Sequence, residues 1–156
     1  MTREELMGRA IELALENVRS ARGGPFGAVV ARGGEIVAEG TNQVTGTNDP
    51  TAHAEVVAIR RACEKLGSFQ LEDCEIYTSC EPCPMCLGAI YWARPRAVYF
   101  GATQEDAAAA GFDDEFLYRE LTVPVAERRI RTEELMRGEA REVFAAWAAS
   151  PEKIPY

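Results

Sequence analysis

The sequence predicts an α/β domain in which one sheet is covered by helices on both faces. Three observations point there. Amphipathic helical stretches alternate with short apolar runs in the order αββαβαβ, followed by a mixed tail. A Gly33-Gly34 pair separates two of the apolar runs as a hairpin turn would. Residues 97–100, Ala-Val-Tyr-Phe, form an unbroken apolar run, which suits a strand in the middle of the sheet.

Each element has a local reason. Thr2 and Glu5 read as a capping box, and Leu6, Ala10, Leu13, Ala14 and Val18 then recur at helical spacing until Gly23-Gly24 stops the first helix. Residues 26–31 and 36–40 are the two hairpin strands, and 42–50 is polar loop. A second helix runs from just after Pro50-Thr51 to about Lys65, with Ala54, Val57, Ala58 and Ala62 on its buried side and Gly67 as terminator. Residues 75–78 are the third strand. Pro82 pushes Glu81 out of helical angles, so the next helix begins near Cys83 and ends before Pro95. Beyond Gly111 a short helical stretch surrounds Phe116, residues 128–135 fit either strand or helix, and a last helix over about 139–149 presents Val143, Phe144 and Trp147 on one face.

A chain of 156 residues fits one domain, and 47% apolar with 27% charged residues is a globular composition. Acidic residues stand among the first five and no uninterrupted apolar core follows, so no secretion signal is expected, and no run is long enough to span a bilayer. A cytoplasmic location follows as the expectation, with cysteines serving metal or catalysis rather than disulfides. The net charge of −8 disfavours a nucleic-acid partner, which would need a basic surface.

The chemistry concentrates in two short stretches. Cys83 and Cys86 lie three apart at a helix start, so both thiols share one face at a spacing common in zinc sites. His53, the single histidine, begins another helix. Two thiolates and one imidazole leave a tetrahedral zinc with one position for water, whereas adding Cys80 would close the site into a structural staple. Glu55, two residues after His53, argues for the open site, because an attacking water needs a base beside it and a structural zinc does not. Cys63 and Cys74 have no metal partner in view and read as small buried residues.

The pairing of His-Ala-Glu at 53–55 with Pro-Cys-x-x-Cys at 82–86 is the signature of zinc deaminases. The strings TNDPTAHAEV and YTSCEPCPMCLGAIYWARP make the chain resemble the cytidine deaminase superfamily, in its branch of purine and tRNA deaminases. That resemblance implies a three-layer αβα sandwich on a five-stranded mixed sheet, a single deaminase domain over 1–156, and one catalytic zinc per chain held by His53, Cys83 and Cys86. Within the branch, Gly23-Gly24-Pro25-Phe26-Gly27, Asn42, Gly111-Phe112-Asp113-Asp114 and the final Tyr156 are similar to the bacterial enzymes that act on guanine as a free base.

On that likeness a zinc-activated water attacks C2 of guanine, giving xanthine and ammonia, with Glu55 moving the protons and Asp114 assisting at the leaving amine. Asn42, Phe26, Ala54 and Trp92 would bind the base. Tyr156 would close the site of a second subunit, its C-terminal segment of about 121–156 exchanged in a homodimer. Deaminases of guanosine, cytosine, ammeline or tRNA adenosine share the zinc motif and remain the alternatives, and a non-catalytic zinc module is the reading from outside the enzyme class.

Overall fold

The computed structural model describes residues 1–156, which divide into two compact units, Met1–Asp114 and Glu115–Tyr156. The first unit begins with α1 (Arg3–Arg19), capped reciprocally by Thr2 and Glu5 as their spacing requires. Strands β1 (Gly27–Arg32) and β2 (Glu35–Thr41) follow, joined by Gly33 and Gly34, both at positive φ. That is the conformation a two-residue hairpin turn demands. A one-turn helix α2 (Val44–Thr47) interrupts the stretch expected to be loop. Then come α3 (Ala54–Leu66), β3 (Cys74–Cys80), α4 (Pro84–Ala93), β4 (Ala97–Ala102) and α5 (Gln104–Ala109).

The sheet is mixed and its strand order is β2-β1-β3-β4, with β1 antiparallel to both neighbours and β3 parallel to β4. It has four strands, where the family resemblance implied five. A second correction concerns β4. Its apolar run suggested a central strand, but it pairs only with β3 and lies at the edge, half-buried at Ala97, Val98 and Tyr99 and exposed from Phe100 onward. An apolar sequence states that a strand wants both faces covered; it does not state what covers them.

Successive residues of β1 point to opposite faces and so separate two cores. Ala28 and Val30 join Ala54, Ala58 and Ala62 of α3 and Ile90 and Ala93 of α4. Val29 and Ala31 join Leu6, Ala10 and Leu13 of α1 and Tyr77 of β3. The first unit is therefore helix, sheet, helix in three layers. Two glycines set the spacing of these layers. A methyl on Gly27 would overlap the carbonyl of Ala10, and one on Gly40 would overlap that of Ala54, so each strand meets its helix at backbone contact.

The second unit holds α6 (Glu115–Thr122), a 3-10 turn at Val125–Glu127, and α7 (Arg137–Ala149). Residues 128–135, ambiguous by pattern, form neither helix nor strand. In this unit Ile130, Leu135, Val143, Phe144 and Trp147 are all exposed. No helix of the chain is long and apolar enough to cross a membrane.

Candidate active site and metal centre

Two helix N-termini converge beyond the end of β3. His53 is the N-cap of α3 and Cys83 the N-cap of α4, with Cys86 in the first turn of α4 after Pro84. Both cap residues have extended backbone and stand at helix starts, where unpaired N–H groups carry positive partial charge. The Sγ of Cys83 lies 3.6 Å and that of Cys86 3.4 Å from Nδ1 of His53. The three ligand atoms all fall within 4.8 Å of one another.

This donor set fits zinc, which takes imidazole nitrogen and thiolate sulfur in tetrahedral sites. The two thiols shift in opposite directions. Cys83 is pulled down to about 4, first by the hydrogen bond from the Cys86 thiol and then by His53, while Cys86 is pushed up by the same bond and by burial. His53 is raised, chiefly by its hydrogen bond to Cys83.

Cys80 stays outside the cluster. Its thiol faces the Thr103 carbonyl at 3.8 Å, and burial pushes its pKa up to about 11. The site thus gathers three ligand residues rather than the four a closed staple would use.

Glu55 follows in the first turn of α3 and is only 6% exposed. Its Oε2 stands 3.4 Å from the Cys86 thiol and its Oε1 3.4 Å from the hydroxyl of Thr78. Burial is the main reason its pKa is raised, so the carboxyl can hold a proton closer to neutrality than an exposed glutamate. Thr78 is a member of this group that sequence reasoning missed. It is buried in β3, and its single hydroxyl proton goes chiefly to the Cys80 carbonyl at 2.9 Å, with Glu55 the longer contact. Alternation along β3 could have placed it on one face, but nothing local signals that the face meets Glu55.

Asn42 lies buried just past β2, its Oδ1 accepting from the Val44 N–H at 3.2 Å. Phe26 is half-buried and meets Phe112 edge-to-face at 5.0 Å. Ala54 is wholly buried among the core residues of α3. Asp114 is half-buried, and its Oδ1 is cut off from solvent with no hydrogen-bond partner. Burial is the main reason its pKa is raised. Trp92 lies in the last turn of α4 with an exposed ring, and Tyr156 ends the second unit, likewise exposed.

Residues 1–102 match the family described as the cytidine and deoxycytidylate deaminase zinc-binding region. The chain is 55% identical to guanine deaminase of Bacillus subtilis over all of both chains. It is 43% identical to a tRNA-specific adenosine deaminase of Agrobacterium fabrum over 64% of this chain and 67% of that one. The crystal structure of the Bacillus subtilis guanine deaminase superposes with a TM-score of 0.97, covering 100% of this chain and 99% of that one. A guanine deaminase from Nitrosomonas europaea, 38% identical, superposes at 0.69 over 72% of this chain and 65% of that one. His53, Glu55, Cys83 and Cys86, which stand together at two helix starts, all lie within the matched residues, and the chain belongs to the cytidine and deoxycytidylate deaminase zinc-binding family.

Proposed function

We propose that the protein hydrolyses guanine to xanthine and ammonia. The observation that carries this reading is identity of 55%, end to end, with a guanine deaminase, in a chain whose buried Glu55 stands against a zinc-type donor set. His53, Cys83 and Cys86 would hold the metal. Zinc, when bound, supplies a Lewis acid that brings a coordinated water's ionisation near neutral pH.

The residues of the chain do the rest. Glu55 takes one proton of the attacking water and delivers it to N3 of the purine as the C2–O bond forms; it then takes the remaining proton from the C2 hydroxyl and passes it to the exocyclic amine, so that C2=O forms as the C2–N bond breaks and ammonia leaves. A carboxyl raised toward neutrality suits both directions of transfer. Asp114 would accept a hydrogen bond from the amine and assist its departure as ammonia, a role supported by its buried, unpartnered Oδ1. Asn42 offers hydrogen bonds to the base edge, Phe26 and Trp92 supply ring faces, and Ala54 closes the floor.

The same proposal includes a homodimer that exchanges C-terminal segments, so that Tyr156 of the partner subunit covers the base. Each unit supplies one side of the argument. The first exposes the outer edge of β4 and a largely apolar cavity of about 540 Å³ that includes Ile11, Leu15, Val18, Phe26 and Phe112. The second exposes the apolar side chains of residues 128–135 and α7. An open sheet edge beside an apolar cavity and the exposed apolar side chains of the second unit are complementary, and a second copy brings both. Five free cysteines fit a reducing compartment, the cytoplasm.

Ammonia release from zinc-loaded protein, measured against guanine, guanosine, adenine, cytosine, ammeline and tRNA, tests the reading. Guanine is expected to lead by orders of magnitude. Preference for tRNA would transfer the protein to the adenosine-editing relatives, an outcome the net charge of −8 argues against.

A further inference from the structure

We propose that Asn17 of α1 is a positioning residue for the substrate pocket, holding Asn42 and Phe26 in register through its side-chain amide. The inference rests on the reading of Asn42 as a substrate-binding residue. Helical spacing places Val18 on the buried face of α1, yet Val18 is exposed and Asn17 is the residue enclosed, at 3% exposure. A polar side chain so deeply buried needs partners for its hydrogens.

Both hydrogens of its Nδ2 are spent on backbone. One goes to the Gly24 carbonyl at 2.9 Å and the other to the Asn42 carbonyl at 3.0 Å. The circuit closes through the pocket residues. The Phe26 N–H donates to the same Gly24 carbonyl at 2.9 Å, and the Asn42 N–H donates to the Phe26 carbonyl at 3.2 Å. Asn17, Gly24, Phe26 and Asn42 thus form one hydrogen-bonded ring, and Asn17 is its only side-chain member.

Gly23 makes room for that ring. A methyl there would overlap the Asn42 carbonyl and press to 3.0 Å against the Asn17 nitrogen. The amide also fixes the orientation of Asn17 itself, since only its nitrogen can donate to two carbonyls. With the backbone of Asn42 held from below, its Oδ1 takes the Val44 N–H and its Nδ2 is the end left as a donor to an acceptor on the base. The Asn17 side chain touches neither the metal cluster nor Glu55 by any bond of the ring, so it bears on binding rather than on proton transfer.

The test is a double-mutant cycle on the zinc-loaded enzyme with guanine as substrate. Asn17→Leu removes both donors, and Asn17→Asp, equal in size, is the second arm should the leucine variant fail to accumulate as folded protein. The expected result is a rise in KM of about tenfold, worth about 1.4 kcal/mol, with kcat within about threefold of the parent. Zinc content is expected to be unchanged. In an Asn42→Ala background the Asn17 substitution is expected to add nothing further, because its effect passes through Asn42.

The outcomes separate cleanly. A raised KM in Asn42→Ala with a parental KM in both Asn17 variants would overturn the positioning role alone. Equal KM increments in the two backgrounds would overturn it as well, by showing that Asn17 acts elsewhere. A parental KM in Asn42→Ala would remove Asn42 from the pocket, and with it this inference, while leaving the zinc and Glu55 chemistry standing.

Discussion

Glu55 carries the sharpest residue-scale prediction, because one carboxyl is asked to move two protons. Glu55→Gln preserves shape and hydrogen bonding but cannot exchange a proton, so zinc content and folding are expected to persist while deamination falls by about 10²–10⁴-fold. Metal analysis and steady-state kinetics on the same preparation check it, and normal turnover would leave only a structural zinc. Thr78 supports a gentler expectation. Its hydroxyl is the one side-chain partner of Glu55 outside the ligand set, 3.4 Å away and buried. Thr78→Val is expected to lower kcat by about tenfold, with Thr78→Ser restoring most of it, since a hydroxyl rather than a methyl orients the carboxyl. Spacing paired Cys83 with Cys86 and Glu55 with His53, and the resemblance to the zinc deaminase signature joined the two pairs into a set. Thr78 and Asn17 were not legible, because a buried hydroxyl or amide is recognised by what it faces across the fold.

Elements meet through backbone at two places and through charge at a third. Gly40 lets β2 approach α3, whose first residues follow directly on His53. Gly40→Ala is expected to cost about 1–3 kcal/mol by overpacking and to weaken zinc retention. Gly8→Ala, in the exposed middle of α1 with nothing near the added methyl, is expected to stabilise by about 0.5–1 kcal/mol. Urea unfolding of the two variants beside the parent reads both signs.

The charged contact centres on Glu75, at the start of β3. It accepts from Tyr77 at 2.6 Å and Arg96 at 3.0 Å, with Arg3 at 3.8 Å, and Arg3 also lies over the Tyr99 ring that stacks on Tyr77. The Tyr77 hydroxyl, then Arg96, hold its carboxyl below the usual range. A depressed value contributes stability above the unfolded glutamate pKa of about 4.3, and that contribution disappears as pH falls through the folded value. Glu75→Gln is therefore expected to be less stable than the parent at pH 7 and equal to it in strong acid, as thermal midpoints across that range would record.

At the scale of the molecule the C-terminal segment is the part to test. Deleting Pro155 and Tyr156 is expected to impair guanine turnover with zinc still bound. Mixing the truncated protein with Asp114→Ala is expected to restore some activity, because a heterodimer with exchanged tails contains one site with both groups. Unchanged kinetics in the truncated protein would remove Tyr156 from the site. Absence of recovery on mixing would argue against exchange.

The sequence by itself determined five of the seven α-helices, the bounds of all four strands within two residues, the hairpin turn and the cysteine pair of the zinc donor set. These depend on interactions between residues close along the chain: capping, turn angles and the spacing of two thiols on one helical turn. Only the tertiary structure decided that β4 is an edge strand, that the sheet has four strands, and that Asn17 rather than Val18 faces inward. Each of those depends on which surfaces come together across the fold, and apolar periodicity states only that a surface is to be covered.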